Sequence, residues 1–260
     1  MILIPVKHLE DAKQRLSPVL DRESRFALAQ AMLQDVLETL GSWPNCPEVA
    51  VVSSDPVGLE LARSFDFQVI LDQANLSETD AIERATQICE SRGIENTLVI
   101  PGDIPLISAW ELEKIFEASP NEGSVLVPAA DGRGTNAVLR RPAGLFPLRF
   151  GNDSFKPHLA AAQVTRKPCV VLSLPGIALD VDSPADLKDL ANSPGETLNC
   201  PHHGICGLFP WPLGARSNQA TRYSKNLYAL CASKGWSWNK AIFWWSNTRS
   251  FPKPKDARWT

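Results

Sequence analysis

The chain has 260 residues, 44% of them hydrophobic, with a formal net charge of −3. This is enough for one large α/β domain, or a domain plus an appendage, and it argues against wholesale disorder. Its six cysteines form no paired framework, which suits a reducing compartment better than a disulfide-built secreted protein.

Strand and helix signals alternate up to about residue 192. Ile2–Val6 is a short apolar run and predicts the first strand. Arg22–Leu40 carries apolar residues at helical spacing, with Asp21 as N-cap and Gly41 as stop. Val49–Val52, Gln68–Leu71 and Asn96–Ile100 read as strands, and Pro56–Ser64 as a helix. Ser77-Glu-Thr-Asp80 has capping-box form before the helical stretch Ala81–Ser91, and Ser108-Ala-Trp-Glu111 opens Leu112–Ala118 in the same way. Val125–Val127, Ala137–Leu139, Val170–Leu172 and the surroundings of Leu179–Val181 are further expected strands, with helices at Phe155–Ala162 and Pro184–Leu190. The alternation predicts an α/β fold, a mainly parallel (mixed) sheet with helices on both faces. In such sheets ligands gather beyond the carboxyl ends of the strands. Lys7, Ser53, Asp55, Asp72, Asp103 and Asp182 stand just after strand signals.

Charge is unevenly spread. Residues 200–260 hold nine Lys and Arg against Asp256 alone, whereas residues 1–199 hold seventeen against twenty-eight acids. An acidic main domain argues against general nucleic-acid binding there. Asn192-Ser-Pro-Gly195 is a linker signal, dividing a domain over 1–193 from a basic extension over 194–260 with six of the eight tryptophans. The extension, expected to be poorly ordered, either contacts a polyanion, is dispensable, or is an out-of-frame translation never selected to fold, and the spacing of Cys200, His202, His203 and Cys206 is not a usual zinc pattern. Charge arrives too early in MILIPVKHLE for a signal peptide, and no apolar run approaches the ~20 residues of a membrane helix. A cytoplasmic protein with no membrane contact is expected.

Four groups of residues suggest chemistry. Leu98-Val-Ile-Pro-Gly-Asp103 runs a buried strand into a turn and delivers a carboxylate at its end, suited either to Mg²⁺ or to capping the turn. Asp180 and Asp182 stand two apart, so an extended segment points both the same way. A shared cation would explain that pair, although Asp182 could also start the helix at Pro184. Lys7, Lys13 and Arg15 form a basic cluster in the first loop, able to compensate a triphosphate. Finally, Asp131-Gly-Arg-Gly-Thr-Asn136 precedes a strand and Phe150-Gly-Asn-Asp-Ser-Phe155 precedes a helix, whose free N–H groups would suit a phosphate or carboxylate. The plainer alternative for the second loop is an ordinary turn with Ser154 as N-cap.

Taken in order, Ile4-Pro-Val-Lys-His-Leu-Glu-Asp-Ala-Lys-Gln-Arg-Leu16, Val51-Val-Ser-Ser-Asp55, Ile100-Pro-Gly-Asp-Ile-Pro-Leu106, Gly134-Thr-Asn136, Arg149-Phe-Gly-Asn-Asp-Ser-Phe155 and Leu179-Asp-Val-Asp-Ser-Pro-Ala-Asp-Leu187 resemble one family. It is the phospholactate guanylyltransferase family, with the bacterial phosphoenolpyruvate and 3-phosphoglycerate enzymes of coenzyme F-420 biosynthesis. The resemblance covers about residues 2–192 and implies a Rossmann-like nucleotidyltransferase fold, GTP as donor and a small phosphorylated carboxylic acid as acceptor. It implies Asp103, Asp180 and Asp182 as Mg²⁺ ligands, with Asp103, Lys7 and Lys13 at the reaction. Lys7, Arg15 and Ser53 would hold the nucleotide, and Thr135, Gly151 and Ser154 the acceptor. A homodimer is the candidate assembly. Ala74-Asn-Leu-Ser-Glu-Thr-Asp80 departs from the family's Gly-Leu-Asn-like turn, in a region expected to help hold the nucleotide. A sugar-phosphate or molybdopterin transferase would open with a Gly-rich loop, whereas this chain has no glycine before Gly41. A non-catalytic nucleotide-binding protein is the rival from another class.

Overall fold

The computed structural model describes residues 1–192 except 75 and 152, so the basic extension from residue 194, with its cysteines and histidines, lies outside the described residues. Seven strands form one sheet: β1 (Ile2–Val6), β2 (Val49–Ser53), β3 (Gln68–Leu71), β4 (Thr97–Val99), β5 (Gly123–Pro128), β6 (Thr135–Arg141) and β7 (Cys169–Val171). Their spatial order is β3-β2-β1-β4-β6-β5-β7. Only β6 runs against its neighbours, pairing antiparallel with both β4 and β5; every other pair is parallel. The chain winds outward from β1 to β2 and β3, then returns to β4 on the other side of β1. That reversal opens a crevice at the carboxyl ends of β1 and β4.

The helices are α1 (Arg22–Gly41), α2 (Pro56–Ser64), α3 (Glu78–Ser91), α4 (Ala109–Glu117), α5 (Phe155–Val164), the single turn α6 (Pro175–Ala178) and α7 (Pro184–Asn192). Alternate residues of each strand serve opposite faces. Ile2, Ile4, Leu98 and Val125 pack under α1, α2 and α4, while Leu3, Ala50, Val99 and Leu126 pack under α3 and α5. Both faces are therefore buried, which explains strands that read as unbroken apolar runs. Helix starts follow the capping signals: Asp21, Ser77 and Ser108 each accept the backbone N–H three residues on. No helix of the described residues is long and apolar enough to cross a membrane.

One expected strand is absent. Leu179–Val181 joins no strand of the sheet: α6 ends at Ala178 and the chain runs on outside the sheet to α7. The Leu-Asp-Val-Asp alternation imitates a strand for another reason. Val181 is fully buried against Leu16, Leu28, Met32 and Leu187, a third cluster separate from the sheet core. Burying Leu16 and Val181 stabilises by about 1.5–3 kcal/mol each. It also fixes their polar neighbours, Lys13 and Arg15 on one side and Asp180 and Asp182 on the other, beside the same crevice.

Candidate active site

The crevice has two lobes. One, of about 290 Å³, is lined by Thr135, Asn136, Gly151, Ser154 and Arg15 among others; the second, of about 250 Å³, by Lys7, Lys13 and the end of β1. Glu78, Pro101, Asp103 and Asp182 line both and form the wall between them.

Asp103 reaches this wall because Pro101 and Gly102 turn the chain at the end of β4. A side chain on Gly102 would meet Leu33 at 3.0 Å, so glycine lets the turn press against α1. The Asp103 carbonyl accepts the Val181 N–H at 3.4 Å, tying the two acidic segments together through the backbone. Asp182 does not start α7. Ser183 and Asp186 do so: the Ser183 hydroxyl accepts Asp186 N–H, and Asp186 accepts the N–H groups of Asp182 and Ser183 at 3.0 and 2.6 Å. The Asp182 carboxylate is thereby left for the crevice.

Lys13 lies between Asp103 and Asp182. Its ammonium donates to Asp103 Oδ2 and, at 2.7 Å, to Asp182 Oδ1, with the lysine side chain only 5% exposed. Burial works against its charge, but Asp103 and Asp182 more than offset this and hold its pKa above the ordinary lysine range. The residue adopts a left-handed backbone, φ 57° and ψ 39°, a conformation that costs a non-glycine residue on the order of 1 kcal/mol. The basic loop thus contributes one lysine to the carboxylates, while Lys7 and Arg15 are exposed, each on its own lobe.

Asp180 is oriented by Asn136, whose amide donates to Asp180 Oδ1 and to the carbonyls of Ile177 and Ala178, all at 3.0 Å. Burial raises the Asp180 pKa, Asn136 counters this, and Asp103 and Asp182 add to the rise. Glu111, buried beneath α6, accepts Gly176 N–H at 2.7 Å and holds the start of the same segment.

The oxygen donors fit a hard divalent cation. Asp103 Oδ1 is buried and has no hydrogen-bond partner among the described residues. The carboxylates nevertheless do not stand in a preformed three-ligand arrangement among the described residues, since Lys13 is the cation between Asp103 and Asp182.

The larger lobe is built differently. Gly151 has φ +119°, a backbone that glycine alone takes readily. Ser154 precedes α5 but makes no side-chain cap; its hydroxyl donates instead to Thr135 Oγ1 at 3.3 Å. Thr135 Oγ1 also lies 3.0 Å from His158 Nδ1. At the mouth, the Arg133 guanidinium forks onto Asp153 at 2.5 and 3.3 Å.

Ser53 is a correction. It is 1% exposed and lines neither lobe; its hydroxyl donates to the Val6 carbonyl at 2.6 Å and accepts Asp55 N–H at 2.9 Å. It locks the ends of β1 and β2 together. Asp55 is likewise structural, accepting Leu9 N–H at 3.1 Å and Gly58 N–H at 2.8 Å.

Sequence reasoning missed Glu78, Asn136 and His158. Glu78 is the first residue of α3, and its side chain lies on the wall between the lobes. Burial and the nearby Asp103 push its pKa up to about 7, against the pull of Lys7 and Lys13. Its place inside a capping-box pattern hid it; the departure from the family's turn at 74–80 was the available signal.

The fold is that of nucleotidyltransferases. A nucleotide-diphospho-sugar transferase from Desulfovibrio desulfuricans G20 superposes with a TM-score of 0.64 at 20% identity, over 89% of this chain and 96% of that one. A cytidylyltransferase from Leptospira borgpetersenii serovar Hardjo-bovis (strain JB197) gives 0.51 at 12% identity, over 90% and 94%. The profile of the family described as guanylyl transferase CofC like matches residues 1–197, and the chain belongs to that family. It is 36% identical to a phosphoenolpyruvate guanylyltransferase of Roseiflexus sp. (strain RS-1), over 75% of this chain and 86% of that one. A 2-phospho-L-lactate guanylyltransferase of Methanobrevibacter smithii is 31% identical over 72% and 82%. A 3-phospho-D-glycerate guanylyltransferase of Colwellia psychrerythraea is 32% identical over 73% and 90%.

Proposed function

We propose that this chain transfers GMP from GTP to a three-carbon phospho-acid, 2-phospho-L-lactate, phosphoenolpyruvate or 3-phospho-D-glycerate, releasing pyrophosphate on the route to coenzyme F-420. One observation carries the reading: Asp103 and Asp182, bridged by Lys13, form the wall shared by two lobes, one with Lys7 and Lys13 in its lining, the other with Arg15, Arg133, Thr135 and Ser154 beside its carboxylates. A reaction between two anions needs that arrangement, because the reactants must meet while their charges are cancelled.

The triphosphate occupies the lobe of Lys7 and Lys13, while Arg15, expected with them on the nucleotide, stands on the other lobe, with the acid. The acid's phosphate and carboxylate take the Thr135 and Ser154 hydroxyls and the Gly151 backbone. A phosphate oxygen of the acid attacks the α-phosphorus in line and pyrophosphate leaves. That oxygen is already ionised near neutral pH, so no strong general base is required. Mg²⁺, held by Asp103, Asp180 and Asp182 when bound, supplies charge neutralisation at the reacting phosphates.

The test is mass spectrometry of the products after the full chain is incubated with Mg²⁺, GTP and each acid separately. A diphosphate-linked GMP–acid together with pyrophosphate is expected with at least one of them. GTP recovered unchanged with all three would overturn the reading.

A further inference from the structure

His158 is fully buried, in the first turn of α5, yet both of its ring nitrogens are engaged. Nε2 accepts the backbone N–H of Arg149 at 2.8 Å. A nitrogen that accepts an N–H carries no proton, so in the neutral ring the proton belongs to Nδ1. Nδ1–H faces Thr135 Oγ1 at 3.0 Å and must donate to it. Thr135 Oγ1 also accepts from Ser154 Oγ at 3.3 Å. A hydroxyl oxygen has two lone pairs, and both are now taken. The remaining Thr135 hydrogen has neither of these partners to go to, and Thr135 lines the larger lobe. Reversing the Thr135–Ser154 bond only moves the free hydrogen to Ser154, which lines the same lobe.

We propose that His158 is the positioning residue of the acceptor lobe: its Nδ1–H commits the Thr135–Ser154 pair to offering one hydroxyl hydrogen to the cleft, which favours a ligand oxygen that accepts, most strongly an ionised one. The inference takes its ligand from the phospho-acid reading above, but its geometry is independent of that reading. With the opposite tautomer, Thr135 would spend its hydrogen on Nδ1 and face the cleft as an acceptor, repelling a phosphate or carboxylate. The ring stays uncharged because burial, reinforced by the nearby Arg140 guanidinium, lowers its pKa to about 4. Phe150 packs edge-on against the imidazole, with centroids 5.3 Å apart, and resists its rotation.

Two measurements decide it. The first is ¹⁵N–¹H long-range correlation of the imidazoles in the full chain near neutral pH, with His158 assigned by loss of its signals in His158→Asn. The Nδ1–H tautomer is expected; an Nε2–H tautomer or an imidazolium would overturn the proposal whatever the protein catalyses. The second is steady-state kinetics with the acid that the product analysis identifies. His158→Leu should raise the KM for the acid about tenfold or more, the effect of losing one hydrogen bond to a charged group, and leave the KM for GTP within about twofold. His158→Asn, whose amide can replace Nδ1–H, should recover most of that loss. A folded His158→Leu with an unchanged KM for the acid, or equal rises for both substrates, would refute the role. If no acid yields product, the guanylyltransferase reading fails and the tautomer measurement alone judges the hydroxyl arrangement.

Discussion

On the reading proposed above, the two lobes of the crevice would each hold an anion, by opposite means. The lobe around Lys7 and Lys13 uses full charges on a loop that follows a parallel strand. The lobe around Thr135 and Ser154 sets neutral hydroxyls and a glycine backbone among carboxylates and two arginines, with a buried imidazole behind Thr135. Charge acts over several ångströms and tolerates loose placement, whereas a hydroxyl must be aimed within hydrogen-bond reach. A triphosphate with many oxygens suits the first. Discrimination among acids that differ by a few atoms suits the second.

Substitutions can test that contrast. The largest effect is expected at the shared wall, which serves both lobes: Asp103→Asn should lower pyrophosphate release about a thousandfold or more while the melting temperature is retained. Undiminished release with GTP and each acid would remove Asp103 from the reaction. Lys13→Met should cost about a hundredfold in turnover. It also leaves Asp103 and Asp182 facing each other, with 30% and 44% of their side chains exposed. Solvent reduces the penalty for such a broken pair to about 1–2 kcal/mol, readable by urea denaturation.

Asn136→Ala should cost about 1–3 kcal/mol through its three lost hydrogen bonds and lower turnover with the KM for GTP unchanged. Turnover equal to the parent's would show that Asp180 needs no such support. Glu78→Gln should act in the opposite direction on stability. A carboxyl whose pKa rises on folding, here to about 7, contributes fully below the unfolded value near 4.5 and loses that contribution as pH rises through 7. Without metal, the Gln variant should therefore be more stable than the parent by about 1–2 kcal/mol above pH ~7, with the difference vanishing near pH ~4. The smallest effect belongs to the rim: Arg133→Ala removes an exposed pair with Asp153 and should leave the melting temperature unchanged.

Most of the fold was legible because both faces of the sheet are buried and the starts of α1 to α4 each carry a capping side chain. Asp103, Asp180 and Asp182 were legible as carboxylates gathered at chain segments that end near one crevice. What sequence could not supply was direction. Ser53 obeys the rule that residues after strands face ligands, yet its hydroxyl turns inward to bind the neighbouring strand's carbonyl. His158 sits among alanines and a leucine in a short helix and reads as a core residue; its meaning comes from Thr135, twenty-three positions away. Lys13 was recognised as basic, but its place between two aspartates depends on Leu16 and Val181 meeting in a cluster that no local pattern announces. Leu179–Val181 shows the reverse error, since alternation records which side is dry and does not say whether a neighbouring strand exists.

The reversed course of β6 has an effect beyond topology. Parallel strands can offer a crevice only their exits, but a strand laid the other way offers its entrance, so the hairpin over 129–134 opens directly onto the larger lobe. That hairpin reaches the crevice without passing through the β1–β4 half that carries Lys7, Lys13 and Asp103. If the larger lobe takes the acid, as proposed, this single surface turn is the shortest route from sequence to a different small acid.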